Sequence, residues 1–310
     1  MDERKPWEQA AAVLPEALRD GLSRLGEDRL DQLEELRLRR GFPLAALFET
    51  GEADTDTPPV GEDDLRRTVE NATQSSAHTA LDKACRGFYT LRGGHRMGMC
   101  GTVVNREGRA AALRELSSLS IRVARPVTGL AGPLLRPLTE EGRFLSTLIV
   151  APPGAGKTTL LRDLVRALSD GEAGEPLRVS VADERGEIAA LWEGKPELDV
   201  GKHTDVMDGC PKALGLELLL RGMNPQVLAA DELTSPDDLG AAELAAGCGV
   251  PLLATAHGGG RQDLLRRPLY RELLALGIFQ KLVTIRRGPD GERETAVEDI
   301  EVVFPEEERT

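Results

Sequence analysis

The sequence lacks the features of a membrane-spanning or exported chain. No stretch approaches the roughly 18 consecutive apolar residues that a membrane-spanning helix needs. Residues 1–7 carry charges of both signs without an apolar segment, so we expect no secretory signal there. The four cysteines are widely spaced and form no Cys-x-x-Cys pair. This spacing argues against a zinc site or a disulfide framework and favours reduced thiols in cytoplasm.

A basic excess is also absent. Acidic residues outnumber Lys and Arg by 52 to 39, which gives a formal net charge of −13. Proteins that bind nucleic acid usually carry a basic surface, because they must neutralise phosphates, so there is no strong case for a nucleic-acid partner. Residues 36–40 form a local basic segment, which we interpret as the solvated face of a helix rather than an arginine patch.

The most informative segment is 148–168, where an apolar strand leads into a glycine-rich turn and then a helix. It matches the phosphate-binding pattern G-x-x-x-x-G-K-[ST] except that Ala151 replaces the first glycine. Backbone N–H groups and the helix dipole favour an anion there, Lys157 is predicted to reach the β/γ-phosphates, and Thr158 to bind Mg²⁺. A chance glycine-rich turn is the alternative. The predicted nucleotide-binding residues are Pro153, Gly154, Ala155, Gly156, Lys157, Thr158 and Thr159.

A second signal is the apolar run 225–230, which is bounded by proline and followed by Asp231 and Glu232. This pattern is typical of a buried parallel strand, and ligands of open α/β sheets gather at the carboxyl ends of such strands. We predict that Asp231 binds Mg²⁺, directly or through water, and that Glu232 polarises the attacking water. The predicted ligands are therefore ATP and Mg²⁺. The alternative is a strand that merely ends in two solvated carboxylates.

The 310 residues allow two domains, an α+β domain over 1–135 and a P-loop ATPase domain over 136–310. In the first, we predict a helical region over 7–40, a loop over 49–59, a helix over 62–85, and strands around Gly93-Gly94. The second alternates strands and helices, which predicts an α/β fold with a RecA-like parallel sheet covered by helices on both faces. Its predicted strands are 144–151, 177–183, 226–231, 251–256 and 280–286, its helices are 158–169, 211–222, 236–247 and 262–276, and a final strand pair turns at 288–291.

Several motifs together resemble the stage III sporulation protein AA family of endospore-forming bacteria, whose relatives are the ring ATPases of type II and type IV secretion. The resemblance implies Mg²⁺-dependent ATP hydrolysis by a cytoplasmic, mother-cell protein that forms a homo-oligomeric ring, expected to be a hexamer. It also implies docking beneath the channel between mother cell and forespore, with membrane channel proteins as partners and membrane association through those partners only. The matching segments are 151–163, 181–188, 204–212 and 253–258, with 33–39, 93–98 and 119–125 nearer the amino end.

The resemblance also suggests roles for further residues. His257 is expected to sense the γ-phosphate, although it could simply pack under the sheet. Glu184 lies in an acidic box, 183–185, with an exposed strand end as the alternative. Arg221 could contact a γ-phosphate in its own or a neighbouring subunit, or only complement a helix dipole. Further candidates for contacts to a neighbouring subunit are Arg96, Arg122 and Arg125.

Two other functions stay open from the sequence. One is a nucleotide-switched scaffold with little hydrolysis, which Ala151 and the histidine at position 203, where the family leads us to expect arginine, would suit. The other is a nucleic-acid-dependent ATPase, against which the acidic charge argues. Steady-state turnover, measured with and without single-stranded DNA, discriminates between them.

Overall fold

The computed structural model describes residues 4–74, 88–106, 109–287 and 293–300. The chain divides into two compact units. The first comprises Met1–Pro126 together with Ala190–Glu197, and the second comprises Val127–Ala189 and Leu198–Thr310. The domain boundary predicted at 135/136 stays a prediction.

The first unit is built on an antiparallel six-stranded sheet with short helices. In chain order its elements are α1 (Pro6–Ala11), α2 (Glu16–Ser23), α3 (Glu27–Leu30), β1 (Glu35–Arg39), β2 (Ala45–Phe48), β3 (Gly51–Asp54), α4 (Glu62–Ala72), β4 (Phe88–Thr90), β5 (Arg96–Arg106) and β6 (Arg109–Arg122), with a two-stranded piece, Leu191–Trp192 and Lys195–Pro196, contributed later in the sequence. The strand order is β3-β2-β1-β6-β5-β4. Leucines of α2 and of β1 share one core, which fixes the helices on this sheet.

The helix predicted over 7–40 is wrong at its carboxyl end, where β1 runs from Glu35 to Arg39. Leu36 and Leu38 are completely buried and alternate with arginines, a period of two that suits a strand with one face on a core. Arg39 lies on the other side and pairs with Glu52 of β3. The basic segment 36–40 therefore belongs to an interior strand of the sheet, paired with β2 and β6, and is not a solvated helix face.

The loop predicted over 49–59 is wrong as well, because it contains β3 and two buried threonines, Thr55 and Thr57. The Thr55 hydroxyl donates to Leu44 O at 2.7 Å, and the Thr57 hydroxyl accepts from Leu44 N at 2.9 Å. These bonds satisfy the polar atoms inside the core, which is why a polar sequence can be buried here.

Two other predictions for the first unit have mixed outcomes. The helix predicted over 62–85 begins at Glu62 but already ends at Ala72, because Thr73 and Gln74 form a turn in which Gln74 has a φ of 50°. Residues 75–87 lie outside the described residues. The strands predicted around Gly93-Gly94 are confirmed as β4 and β5, which pair antiparallel across this turn. Both glycines have positive φ values, 80° and 77°, a conformation that side-chain-bearing residues rarely adopt.

The second unit is an α/β structure around a seven-stranded sheet. Its elements are α5 (Gly132–Leu135), β7 (Thr139–Glu140), β8 (Arg143–Phe144), β9 (Thr147–Ala151), α6 (Lys157–Ser169), β10 (Val179–Asp183), β13 (Thr204–Asp208), α7 (Lys212–Gly222), β14 (Val227–Ala230), α8 (Pro236–Gly247), β15 (Leu252–His257), α9 (Arg261–Leu265), α10 (Pro268–Ala275), β16 (Lys281–Arg287) and β17 (Arg293–Asp299), where β11 and β12 are the two short strands at 191–192 and 195–196. The order is β13-β10-β14-β15-β9-β16-β17, parallel except for β17.

The connections of this sheet create a crevice between β9 and β15. These strands are neighbours, with Ala151 opposite His257. The chain leaves β9 through α6 toward β10 on one side, and leaves β15 through α9 and α10 toward β16 on the other. Since such crossovers are right-handed, α6 and the α9–α10 pair cover opposite faces. Ligands bind where the direction of winding reverses in this way.

The predicted strands and helices of the second unit are confirmed with small shifts, and three details differ. β13 was not among the predicted strands; its side chains are only partly buried at the sheet edge, so its apolar signal is weak. The helix predicted over 262–276 is two helices, because Pro268 has no N–H to continue the first and instead begins the second. The turn predicted at 288–291 lies outside the described residues, although β16 and β17 pair antiparallel.

We predict that the first unit loses stability in mild acid through His95. This side chain is fully buried, its Nδ1 accepts from Ala124 N at 2.9 Å, and burial lowers its pKa from 6.5 to about 4. The unfolded chain therefore binds the proton first, so stability is lost as pH falls from 6.5 toward 4, by about 2 kcal/mol between about pH 7 and pH 5. Urea unfolding followed by fluorescence measures this, since Trp7 and Trp192, the two tryptophans, belong to this unit.

The matched control for this prediction is His203→Gln, which removes an exposed histidine of the second unit. His95→Gln can still accept from Ala124 N, and it should flatten the pH dependence, whereas His203→Gln should leave it unchanged. Equal pH slopes in wild type and His95→Gln would contradict the assignment.

Candidate active site

The phosphate loop, residues 151–158, joins β9 to α6 at the crevice. Gly154 and Gly156 have φ values of 73° and 94°, so the loop needs glycine at both positions. A methyl group at position 156 would also come within 2.8 Å of the Arg293 guanidinium. The first N–H groups of α6 have no acceptor within their own helix, so they are suited to donate hydrogen bonds to an anion. The replacement of glycine by Ala151 leaves β9 intact, since that residue is completely buried at the strand end.

Lys157 is a buried cation, with 7% of its surface exposed. Its ammonium donates to Ala151 O at 3.1 Å, to Pro152 O at 3.2 Å and to Nδ1 of His257 at 2.7 Å. Burial lowers the pKa of Lys157, while Glu232 and Asp231 raise it. Within the described part of the chain, no carboxylate lies within 4.0 Å of this ammonium. Neutral dipoles therefore hold this charge. A buried charge without an ionic partner favours the binding of an anion.

His257 connects Lys157 to Glu232. An ammonium can only donate, so Nδ1 of His257 accepts and Nε2 carries the proton. Nε2 lies 2.9 Å from Oε2 of Glu232, to which it donates. The three side chains thus form one hydrogen-bonded chain that ends on a carboxylate. The histidine lies at the carboxyl end of β15, with 37% of its side chain exposed, and is not packed under the sheet.

Thr158 and Asp231 provide oxygen atoms suited to Mg²⁺. The Thr158 hydroxyl donates to Oδ2 of Asp231 at 3.1 Å, and Thr255 donates to the other carboxylate oxygen at 2.6 Å. Mg²⁺ is usually held by one or two such protein groups together with waters and substrate phosphates. The described residues contain no cluster of three or more metal-ligating side chains. The donor set therefore fits Mg²⁺ that arrives with a phosphate ligand and does not fit a metal bound by protein alone.

The acidic box, 183–185, has divided roles. Asp183 is 1% exposed and accepts from the N–H groups of Glu187, Ile188 and Ala189, so it stabilises a turn and is not an exposed strand end. Glu184 is exposed, and its carboxylate accepts from Lys212 N at 3.3 Å at the start of α7.

Arg221, the candidate arginine of the second unit, lies apart from this cluster. Arg221 is in the last turn of α7, about 14 Å along the helix from Lys212 at 1.5 Å per residue. Its side chain is 72% exposed and pairs with Glu217 of the same helix at 3.4 Å. In the first unit, Arg96 stacks on Phe88 at 3.7 Å, Arg122 is exposed, and Arg125 donates to Leu33 O at 2.9 Å. The roles proposed for these arginines at a neighbour's site stay predictions.

Sequence reasoning missed three polar residues of this region. Thr255 lies inside an apolar strand, where a β-branched threonine looks like an ordinary core residue and its hydroxyl gives no sign of a functional role. Arg293 is on the edge strand β17, and only the pairing of β16 with β17 brings it to Gly156. Lys212 is the first residue of an apolar helix that follows Pro211. A lysine is unfavourable at a helix start because its charge opposes the helix dipole. Its presence there was therefore a usable sign of a specific role.

The model of the family described as "Sporulation stage III, protein AA" matches residues 3–299. The chain belongs to this family. It is 36% identical over 280 residues to stage III sporulation protein AA of Bacillus subtilis (strain 168), covering 90% of this chain and 91% of that protein. The resemblance inferred from the sequence motifs is therefore confirmed.

Two solved structures share the fold. The ATPase DotB of Yersinia pseudotuberculosis aligns with a TM-score of 0.60 at 14% identity, covering 98% of this chain and 82% of that one. The pilus retraction motor PilT, solved with bound ADP, aligns with a TM-score of 0.54 at 16% identity, covering 86% and 78%. The predicted P-loop α/β fold is thereby confirmed. None of the helices among the described residues has the length and apolar character needed to span a bilayer.

We predict that Lys157→Ala weakens Mg·ATP binding at least about tenfold while the fold survives, because a charge-assisted contact to phosphate is lost from a loop. Binding is measured with a fluorescent ATP analogue, and folding by the melting temperature. Lys202→Ala, which removes an exposed lysine of the same unit, is the matched control and should bind normally. Equal affinity in Lys157→Ala and wild type would exclude Lys157 from the nucleotide site.

Proposed function

We propose that this chain hydrolyses ATP with Mg²⁺, as a ring-forming, secretion-type ATPase that acts at the channel between mother cell and forespore. The observation that carries the enzymatic part is the buried Lys157 ammonium at the crevice, joined through His257 to Glu232. This arrangement places a cation for phosphates and a carboxylate for water on one hydrogen-bonded chain. Family membership and the fold shared with DotB and PilT support the same function.

Binding of ATP begins with exchange of the partners of Lys157. The β/γ-phosphates are stronger acceptors than the two carbonyls and the imidazole that now hold this ammonium, so Lys157 turns to them. Thr158 and Asp231 would hold Mg²⁺, which would supply positive charge to neutralise the phosphates. The N–H groups of residues 154–159 would surround the phosphates and orient the γ-phosphate for attack, while Pro153, which has no N–H, would shape the loop.

Glu232 then orients and polarises the attacking water. Its carboxylate now accepts from Nε2 of His257, and release of Lys157 frees Nδ1 of that ring. Nδ1 then donates to a γ-phosphate oxygen once it has gained a proton. The imidazole thereby links phosphate occupancy to the position of the Glu232 carboxylate. His257 is a sensor in this scheme. Glu184 is only a secondary candidate for water activation, because its carboxylate contacts Lys212 at the start of α7.

We predict that Glu232→Gln binds Mg·ATP normally but hydrolyses it roughly 10²- to 10⁴-fold more slowly, the loss typical of a positioned general base. The amide keeps the shape of the side chain and removes the charge. Phosphate release under steady state measures turnover, with Glu243→Gln, an exposed glutamate on α8, as the control. Turnover of Glu232→Gln at the wild-type rate would move the role elsewhere, with Glu184 tested next.

A ring of subunits, proposed to be a hexamer, would give a role to Arg221, which lies away from the phosphate loop among the described residues of the second unit. Arg221 is exposed and lies at the far end of α7, so we propose that it completes the site of a neighbouring subunit. A guanidinium supplied by a neighbour stabilises the charge that develops during phosphoryl transfer. Docking beneath the membrane, in the cytoplasm of the mother cell, would then use channel proteins as partners.

We predict that activity per subunit rises steeply with protein concentration. We also predict that Arg221→Ala subunits inhibit mixtures beyond simple dilution, because each variant subunit inactivates the site of its neighbour. Turnover is measured across mixing ratios, with light scattering for the mass of the assembly. Arg271→Ala, an exposed arginine on α10, should dilute activity in proportion to its share. Proportional loss with Arg221→Ala, together with the mass of a single chain under saturating ATP, would show a monomeric enzyme.

A further inference from the structure

Lys212 is a second buried lysine in the second unit, with 8% of its surface exposed. It is the first residue of α7, and its ammonium meets groups from three other elements. It donates to the backbone carbonyl of Glu232, just beyond β14, and lies 3.7 Å from Oε2 of Glu184, just beyond β10, and 3.8 Å from Oδ2 of Asp238 in α8. One charge therefore connects the ends of two neighbouring parallel strands with a helix start.

The partners of Lys212 hold the segment that follows Glu232. Asp238 is 4% exposed and accepts from Thr234 N at 2.8 Å and Ser235 N at 3.0 Å. Ser235 in turn caps α8 by accepting from Asp238 N at 3.1 Å. The Asp238 carboxylate thus fixes the turn at 234–235, while Lys212 fixes the peptide of Glu232 itself.

The contacts of the Lys212 ammonium differ from those expected of a lysine that binds phosphate. Its short contact is with a backbone carbonyl, and the two carboxylates nearby compensate its charge. Lys157, in contrast, meets only carbonyls and an imidazole among the described residues, and its charge is left for an anion. Lys157 is therefore placed to bind an anion, and Lys212 is placed to hold the Glu232 peptide.

We infer that Lys212 is a positioning residue for Glu232: it clamps the Glu232 peptide against Glu184 and Asp238 and so aims the Glu232 carboxylate at His257 and the attacking water. The inference rests on the proposed hydrolysis of ATP. It assigns Lys212 no contact with the nucleotide. Loss of the clamp should therefore lower kcat and leave nucleotide binding almost unchanged.

The first test compares Lys212→Met and Lys212→Gln with wild type. We expect kcat to fall at least tenfold, with KM and the Kd for a fluorescent ATP analogue within about twofold of wild type. Lys212→Arg, which keeps the charge, should recover at least a third of the wild-type kcat. Lys202→Met, at an exposed lysine, is the control. The glutamine variant keeps a donor and serves if the methionine variant does not fold.

The second test asks whether Lys212 acts through Glu232. In a Glu232→Gln background, adding Lys212→Met should reduce kcat by less than about twofold, because the side chain that it positions is already disabled. Multiplicative losses would overturn the inference, as would a rise in KM of tenfold or more with unchanged kcat, which would make Lys212 a phosphate ligand. A wild-type protein without ATPase activity would instead overturn the proposed function, and this inference with it.

Discussion

The candidate site depends on the buried positive charge of Lys157, which no carboxylate among the described residues contacts directly. The Lys157 ammonium lies under the phosphate loop, where carbonyl dipoles and the His257 ring hold it and burial lowers its pKa. Such a charge is costly to bury, and a dianionic phosphate relieves that cost better than these dipoles do. The other groups of the site are arranged around this charge, since His257 carries its effect on to Glu232.

The sheet brings these groups together because its parallel strands end at one edge. Ala151, Asp231 and His257 follow or end three adjacent strands, and winding reverses between β9 and β15 at that edge. Functional groups on strand ends are held more precisely than groups on long loops. The second buried lysine, Lys212, extends this order to the neighbouring strand β10 by joining its end to that of β14.

The sequence predicted the loop and the strands of this region because their signals are local. The glycine pattern around Lys157 and the carboxylates after a short apolar run each depend on neighbours within a few residues, and the structure places both at one edge. The failures have two causes. Over 35–39 the alternation of leucines with arginines is a local strand signal that the helix prediction passed over. Thr55, in contrast, is buried because Leu44 lies beside it in the fold, and a contact of this kind has no signature in the sequence.

The most direct test of the account is a crystal structure of the chain with Mg²⁺ and a non-hydrolysable ATP analogue. The account predicts that the Lys157 ammonium lies about 3 Å from phosphate oxygens and has left Nδ1 of His257, while the Thr158 hydroxyl faces the metal and the Glu232 carboxylate faces the γ-phosphate. An analogue bound elsewhere, or Lys157 still bonded to His257 with the nucleotide in place, would contradict it.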